Sequence, residues 1–284
     1  IPCNAIRWIA DVTIQPGTIF LPNTPFTKTW RLQNTGLCAW DNTYALVLVS
    51  GHSMGAQTGY FLPAIITPGQ IVDLPVDFTA PENPGNYTSY WQLRDDNGVL
   101  FLFPGDAPPF SVQIKVVQTR GNYAHDFAVD FCLARWESMA GELPCPGQEG
   151  DPRGFVYLLD NPRLENRNEN EFALWTRPNN QKGGWITGVY PPYIVQEGDR
   201  FRAWVGCLDQ SAGCSVTFQL DYQVTGGTVK TLGQWREVYD GMITKIDLDL
   251  SALAGKTVTF TLTVFANNKA DKANAFWFVP RIER

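Results

Sequence analysis

The stretch Thr29-Trp30-Arg31-Leu32-Gln33-Asn34-Thr35-Gly36-Leu37-Cys38-Ala39-Trp40 decides how the chain is read. It holds two tryptophans and a cysteine around an Asn-Thr-Gly turn signal. Just upstream, Phe26, Trp30 and Leu32 alternate with Thr27, Thr29, Arg31 and Gln33. Such period-two alternation marks a strand with one buried face. Outward from there the pattern recurs at Val72, Leu74, Val76 and Phe78, at Tyr87, Trp91 and Leu93, and at Phe110, Val112, Ile114 and Val116. Turn signals separate the runs: Gln15-Pro16-Gly17, Thr67-Pro68-Gly69, Asn83-Pro84-Gly85 and Asp96-Asn97-Gly98. Short strands punctuated by turns predict an antiparallel sandwich. Tryptophans in such strands are expected in the core, where each ring buries ~150–250 Å².

The apolar alternation stops at Val117-Gln118-Thr119-Arg120-Gly121-Asn122. This break predicts a domain of residues 1–118 followed by one of residues 123–284. The second half opens with Phe127-Ala128-Val129-Asp130-Phe131, then a Gly/Pro-rich loop through Pro152. Strand patterns resume at Phe155–Leu159, Phe201–Val205, Val216–Tyr222, Ile246–Leu250, Val258–Val264 and Ala275–Val279. One helical turn is expected at Leu250–Gly255, closed by glycine. The fold class is therefore all-β, with an N-terminal sandwich and a second sandwich of jelly-roll kind.

Composition narrows the function. The chain has 284 residues, a 44% hydrophobic fraction and a formal net charge of −6. That balance supports packed cores and argues against general nucleic-acid binding, which needs a cationic surface. No window approaches the ~20 apolar residues of a spanning helix, so no membrane insertion is expected. The chain starts at Ile1-Pro2-Cys3 without a basic, then apolar, leader segment. Six cysteines, none at CxxC spacing, and two distant histidines leave few ligands for zinc. Disulfides are the better assignment, and they point to an oxidising compartment and a secreted or extracellular-surface location.

The ordered run Trp30-x-Leu32-x-Asn34-x-Gly36-x-Cys38-x-Trp40, Leu48-Val49-Ser50-Gly51-x-x-Met54-Gly55, Pro68-Gly69-Gln70, Pro84-Gly85-x-Tyr87 and Tyr90-Trp91-x-Leu93 resembles a known family. This is the four-tryptophan Ig-like domain, first described in a eukaryotic selective-autophagy cargo receptor and recurring in bacterial surface proteins. Trp30, Trp40 and Trp91 match three signature tryptophans, and Phe110 stands near the place of the fourth. The resemblance implies an Ig-like sandwich over residues 6–117 that serves as a protein-interaction module. With Trp30 and Trp40 in the core, Cys38 has a candidate partner in Cys3, which would pin the N-terminal strand beside the Asn34-Thr35-Gly36 turn. Cys132 with Cys145, and Cys207 with Cys214, would close short loops within the second domain.

Catalytic chemistry finds little support. No GxSxG elbow accompanies His52 or His125, and Asp126 beside His125 is expected in a solvated turn. Asp247 and Asp249 alternate with apolar residues and read as the solvent face of a strand. No catalytic, metal or cofactor site is expected, and a hydrolase ranks last among three readings. A non-catalytic extracellular interaction or scaffold protein ranks first. A carbohydrate-binding accessory protein ranks second, because Trp175, Trp185, Tyr190, Tyr193, Trp204, Trp235 and Tyr239 concentrate in the second half. Its closing segments, Ile246–Lys256 and Trp277-x-x-Pro280-Arg281-Ile282, weakly resemble the last strands of carbohydrate-binding jelly rolls. Gly184–Tyr193 reads as an aromatic loop, so Trp185, Tyr190 and Tyr193 are expected to stack on a surface glycan while Asn179 and Asn180 take its hydroxyls. The expected partner is thus a protein or a glycan.

Overall fold

The computed structural model describes residues 2–101, 109–118, 123–268 and 270–284. The chain divides into two compact units, Ile1–Gln118 and Thr119–Arg284. In the first, the described strands are β1 (Ile6–Asp11), β2 (Thr18–Phe20), β3 (Pro25–Asn34), β4 (Ala45–Gly51), β5 (Gly59–Phe61), β6 (Ile71–Thr79), β7 (Gly85–Arg94), β8 (Leu100–Phe101) and β9 (Phe110–Val116). One sheet runs β1-β3-β6; the other runs β2-β9-β7-β4-β5, with β8 on β7. The alternation around Trp30 does what it predicts, since β3 buries every second residue. Trp30 from one sheet meets Trp91 from the other at 6.3 Å between ring centroids, and Phe78 meets the same Trp91 edge-on at 5.8 Å. Trp30, Trp40 and Trp91 are all core, and Phe110 packs 6.4 Å from Trp30.

The turn inside the opening stretch is held from three sides. Asn34 is fully buried; its Nδ2 donates to the carbonyls of Cys38 and Ile66, each at 2.9 Å, and its Oδ1 accepts from the Gly36 amide at 3.0 Å. The N-terminal segment lies against this turn, where the Cys38 amide donates to the Cys3 carbonyl and a Cys3–Cys38 disulfide closes the contact. Gly36 permits that approach, because a Cβ there would stand 2.2 Å from the Cys3 carbonyl oxygen. The stretch is a stapled corner of the core. Nearby, Lys28 is buried on β3 with its ammonium 2.7 Å from the Ile14 carbonyl and 2.6 Å from Asp11.

The second unit contains β10 (His125–Asp126), β11 (Arg135–Ser138), β12 (Gly141–Leu143), β13 (Phe155–Asp160), β14 (Phe172–Arg177), β15 (Trp185–Val189) and β16 (Tyr193–Ile194). It continues with β17 (Arg200–Cys207), β18 (Ser215–Val224), β19 (Val229–Val238), β20 (Thr244–Asp249), β21 (Thr257–Ala266) and β22 (Ala275–Glu283). One sheet runs β13-β14-β22-β17-β20 and the other β12-β11-β15-β21-β18-β19, with β10 and β16 as side pairings. From β14 onward the chain crosses repeatedly between the two sheets, as in the winding of a jelly roll. Phe218 of one sheet meets Trp277 of the other at 5.0 Å. The expected helical turn is a short 3-10 segment, Ser251–Leu253.

Two features differ from the sequence expectation. Phe127–Phe131 forms turns rather than a strand, because the Asp126 carboxylate accepts the Ala128 and Val129 amides and bends the chain there. The Gly/Pro-rich loop before Pro152 contains the β11–β12 hairpin. The remaining cysteines form Cys132–Cys145 and Cys207–Cys214, as their spacing suggested, and no described cysteine is free.

Candidate functional site

The Gly184–Tyr193 segment is not an aromatic loop. Trp185–Val189 is β15, paired with β11 on one side and β21 on the other. Its residues alternate between half-buried and buried, so Trp185 is one half-buried member of a ladder opposite Phe265. Tyr190, just beyond, is only 2% exposed. Its ring packs edge-on against Phe127 at 4.8 Å, and its hydroxyl donates to the Phe127 carbonyl at 3.0 Å. Burial pushes its phenol well above the usual range. Tyr190 is therefore a core residue and cannot stack on a ligand.

Tyr193 is half-buried and donates to Asp199 at 2.7 Å. Asp199 itself is fully buried and also accepts from Arg284 at 2.8 Å. Asn179 is a turn-former: it is 1% exposed, its Oδ1 accepts the Trp185 amide at 3.1 Å and its carbonyl accepts the Gln181 amide at 2.8 Å. Asn180 alone of the expected polar handles is exposed. Because β15 separates Asn180 and Trp185 from Tyr190 and Tyr193, about 16 Å of strand lies between the two groups at ~3.3 Å per residue. The structure does not bring the five residues to one place.

Two surface grooves among the described residues of the second unit bear on the site. One, of about 440 Å³, is lined by Asn180, Gln181 and Lys182 on one side and Asn267, Asn268 and Asp271 on the other. It offers amides, one cation and one carboxylate, with no aromatic side chain among its described lining residues. The second, of about 330 Å³, is lined by Trp175, Leu159 and Leu208 together with Asp160, Arg163, Asp209 and Gln210. Trp175 sits on β14, braced edge-on against Phe155 at 4.9 Å, and its Nε1–H is buried without a hydrogen-bond partner. Arg163 pairs with Asp209 at 2.9 Å on the rim. Sequence reading counted Trp175 among the clustered aromatics but had no means to place the β13–β14 connection beside it.

The histidines are structural. His52 accepts the Met54 amide on Nδ1 at 3.0 Å, closing a turn. His125 packs edge-on against Phe127 at 4.5 Å and lies 3.4 Å from Asp130. Burial holds its imidazole below the usual range and the Asp130 carboxyl above its own, while the attraction between them opposes both shifts. Asp126 is not solvated as expected; burial raises its carboxyl to about 6, against the pull of the Val129 and Ala128 amides. Asp247 does face solvent, where it pairs with Arg200 and Arg202. Among the described residues no group of His, Cys, Asp and Glu side chains is arranged to hold a metal.

The fold and the site geometry define a protein of two β-sandwich units, the first Ig-like. Residues 13–116 match the family model for the Ig-like domain from next to BRCA1 gene, and that segment is a four-tryptophan-type Ig-like domain. The chain is similar to Protein JOKA2 of Solanum tuberosum, 42% identical over 99 residues that make up 34% of this chain and 11% of that protein. Protein ILRUN of Danio rerio is 36% identical over 102 residues, 36% of this chain and 35% of that protein. Next to BRCA1 gene 1 protein of Mus musculus is 34% identical over 149 residues, 47% of this chain and 15% of that protein. The chain thus spans between 11% and 35% of the length of these relatives. A solved carbohydrate-binding module of the β-sandwich superfamily covers 100% of this chain and 99% of its own at 11% identity, with a TM-score of 0.36. A module solved with β-1,4-galactotriose covers 52% of this chain and 86% of its own, with a TM-score of 0.31. Scores this low carry nothing about ligand.

Proposed function

We propose that the chain is a non-catalytic interaction protein built of two disulfide-stapled β-sandwich units and working in an oxidising compartment, at a cell surface or outside the cell. The observation that carries this reading is on the first unit. Its signature tryptophans are consumed by the core, yet Phe61, Leu37 and Ile65 stand 66%, 65% and 61% exposed. A protein partner that covers these side chains would take their apolar surface out of water. A photo-reactive amino acid at position 61 of the full chain, activated in the native setting, is expected to capture a discrete protein partner. The same group at the buried position 91 serves as control, and equal or absent capture at both positions overturns the reading.

A second reading concerns glycan binding by the second unit, and the Trp175 groove favours it over the residues expected from sequence. Sugars present apolar C–H faces that an aromatic floor accepts, with flanking Asp, Gln and Arg groups for the hydroxyls. On a glycan array, Trp175→Ala is expected to abolish a signal that Trp185→Ala leaves intact. Loss in Trp185→Ala alone would return the site to Trp185 on β15, and no signal from the parent chain removes the glycan reading.

A further inference from the structure

The two units take up the chain that enters and leaves them in opposite ways, and the difference decides how each answers a pull. In the first unit the Cys3–Cys38 staple sits at the Asn34 end of β3. There the Asn34 side chain donates to the Cys38 carbonyl and the Cys38 amide donates to the Cys3 carbonyl, each at 2.9 Å. The chain leaves this unit at the other end. The Val117 amide donates to the Phe20 carbonyl at 3.0 Å, and Phe20 leads through residues 21–24 into Pro25, where β3 begins. The ten residues of β3 put about 30 Å between the two points at ~3.3 Å per residue.

β9, the strand that carries the exit, is gripped on both flanks. It pairs in parallel with β2, from Thr18 opposite Ile114 to Phe20 opposite Val116. It pairs antiparallel with β7, from Trp91 opposite Phe110 to Gly85 opposite Val116. Because β9 runs toward the exit, tension between Cys3 and Val117 acts along the strand. Ladder bonds run across strands rather than along them, so such a pull shears both ladders together. Tension entering at Cys3 passes through the disulfide to Cys38, and β1, β2 and β3 stay out of the load path. Without the disulfide it would enter at β1, which pairs with β3 alone among the described strands and is broken by a bulge between Trp8 and Ala10.

The second unit is arranged as a zipper. β10 pairs antiparallel with β22 through His125 opposite Ile282 and Asp126 opposite Arg281, and the Ala124 amide donates to the Ile282 carbonyl at 2.9 Å. The first and last strands of this unit thus lie side by side with their outer ends together. A pull on those ends parts them bond by bond.

We infer that the first unit is a tension-bearing link whose load path is set by Cys3–Cys38, and that the second unit is the one that yields. This is a mechanical function, separate from the partner contact at Phe61. The test is single-molecule force spectroscopy on the full chain, held at both ends between marker domains. The first unit should lengthen in a step of about 25 nm, the span of the roughly 80 residues beyond Cys38 at ~3.5 Å each, less the folded distance. That step should follow the longer step of the second unit and need a higher force. Substituting both Cys3→Ser and Cys38→Ser should lengthen the first-unit step by about 12 nm, from the 35-residue separation, and lower its force. The second-unit step should not move and serves as the internal reference. A first-unit step of unchanged length in the variant overturns the load path. A first unit that yields before the second, or at the same force, overturns the tension-bearing role. Should the variant's first unit fail to fold, the parent decides both points, since a parent step already about 12 nm too long would place β1, β2 and β3 under load.

Discussion

At the scale of single residues, stability concentrates where the chain is crowded or a charge is buried. Gly36 is crowded: a methyl group there meets the Cys3 carbonyl oxygen at 2.2 Å, against backbone pinned by a disulfide. Gly36→Ala should lower the stability of the first unit by about 2–4 kcal/mol, measured by denaturant unfolding, whereas Gly69→Ala, with open space around it, should pay only the strain of its positive φ. Lys28 is a buried charge, its ammonium pulled below the usual range by burial while Asp11 raises it. Asp11→Ala leaves that ammonium uncompensated and should cost about 3 kcal/mol in the same assay. Asp126 has the opposite sign. Its carboxyl rises from 3.8 to about 6 on folding, so the folded unit binds a proton the unfolded chain has released, and stability falls as pH climbs through that window. Asn at this position can still accept the Ala128 and Val129 amides without the charge. Asp126→Asn should therefore exceed the parent by up to about 3 kcal/mol above pH ~6 and match it below pH ~4, read from melting curves across the range.

At the scale of elements, what the sequence disclosed depended on whether an element has one buried face. β3, β6, β7 and β9 do, and their alternation was legible. β19 is exposed along most of its length at the end of its sheet, so it carries no period of two and its ten residues gave no signal. β15 was masked by its punctuation: Gly184 and Pro191 are loop residues, and only pairing with β11 and β21, distant in sequence, makes a strand of what lies between. The burial of Tyr190 was illegible for the same reason. Tyr190 beside Pro191 looks free to leave the core, but Phe127, sixty-three positions away, supplies the acceptor and the ring that hold it in. Cysteine pairing was easier to foresee, since loop closure is local. Alkylation without reductant followed by intact-mass measurement should show no modified thiol, and replacing Cys3 and Cys38 with serine should destabilise the first unit by about 4 kcal/mol on the chain-entropy estimate for its 35-residue separation.

At the scale of the whole molecule, each unit has its own tryptophan-centred core and at least one disulfide of its own. Polypeptides of residues 1–118 and 123–284 should each give dispersed amide spectra and a single cooperative unfolding transition; a molten spectrum from either would mean that the two share stabilising contacts. The strand order bears on how such a protein is made. β22, the final strand, does not sit at a rim: it fills the centre of its sheet, hydrogen-bonded to β14 on one flank and β17 on the other. On a ribosome, β14 and β17 emerge long before the strand that joins them, and each waits with a bare ladder of amides and carbonyls on an apolar ribbon. The first unit has its last strand by Val116 and can close while the second is still being translated. The second can close only when Ala275–Glu283 arrives, so the inner flanks of β14 and β17 stay open to wrong partners until that strand has been made.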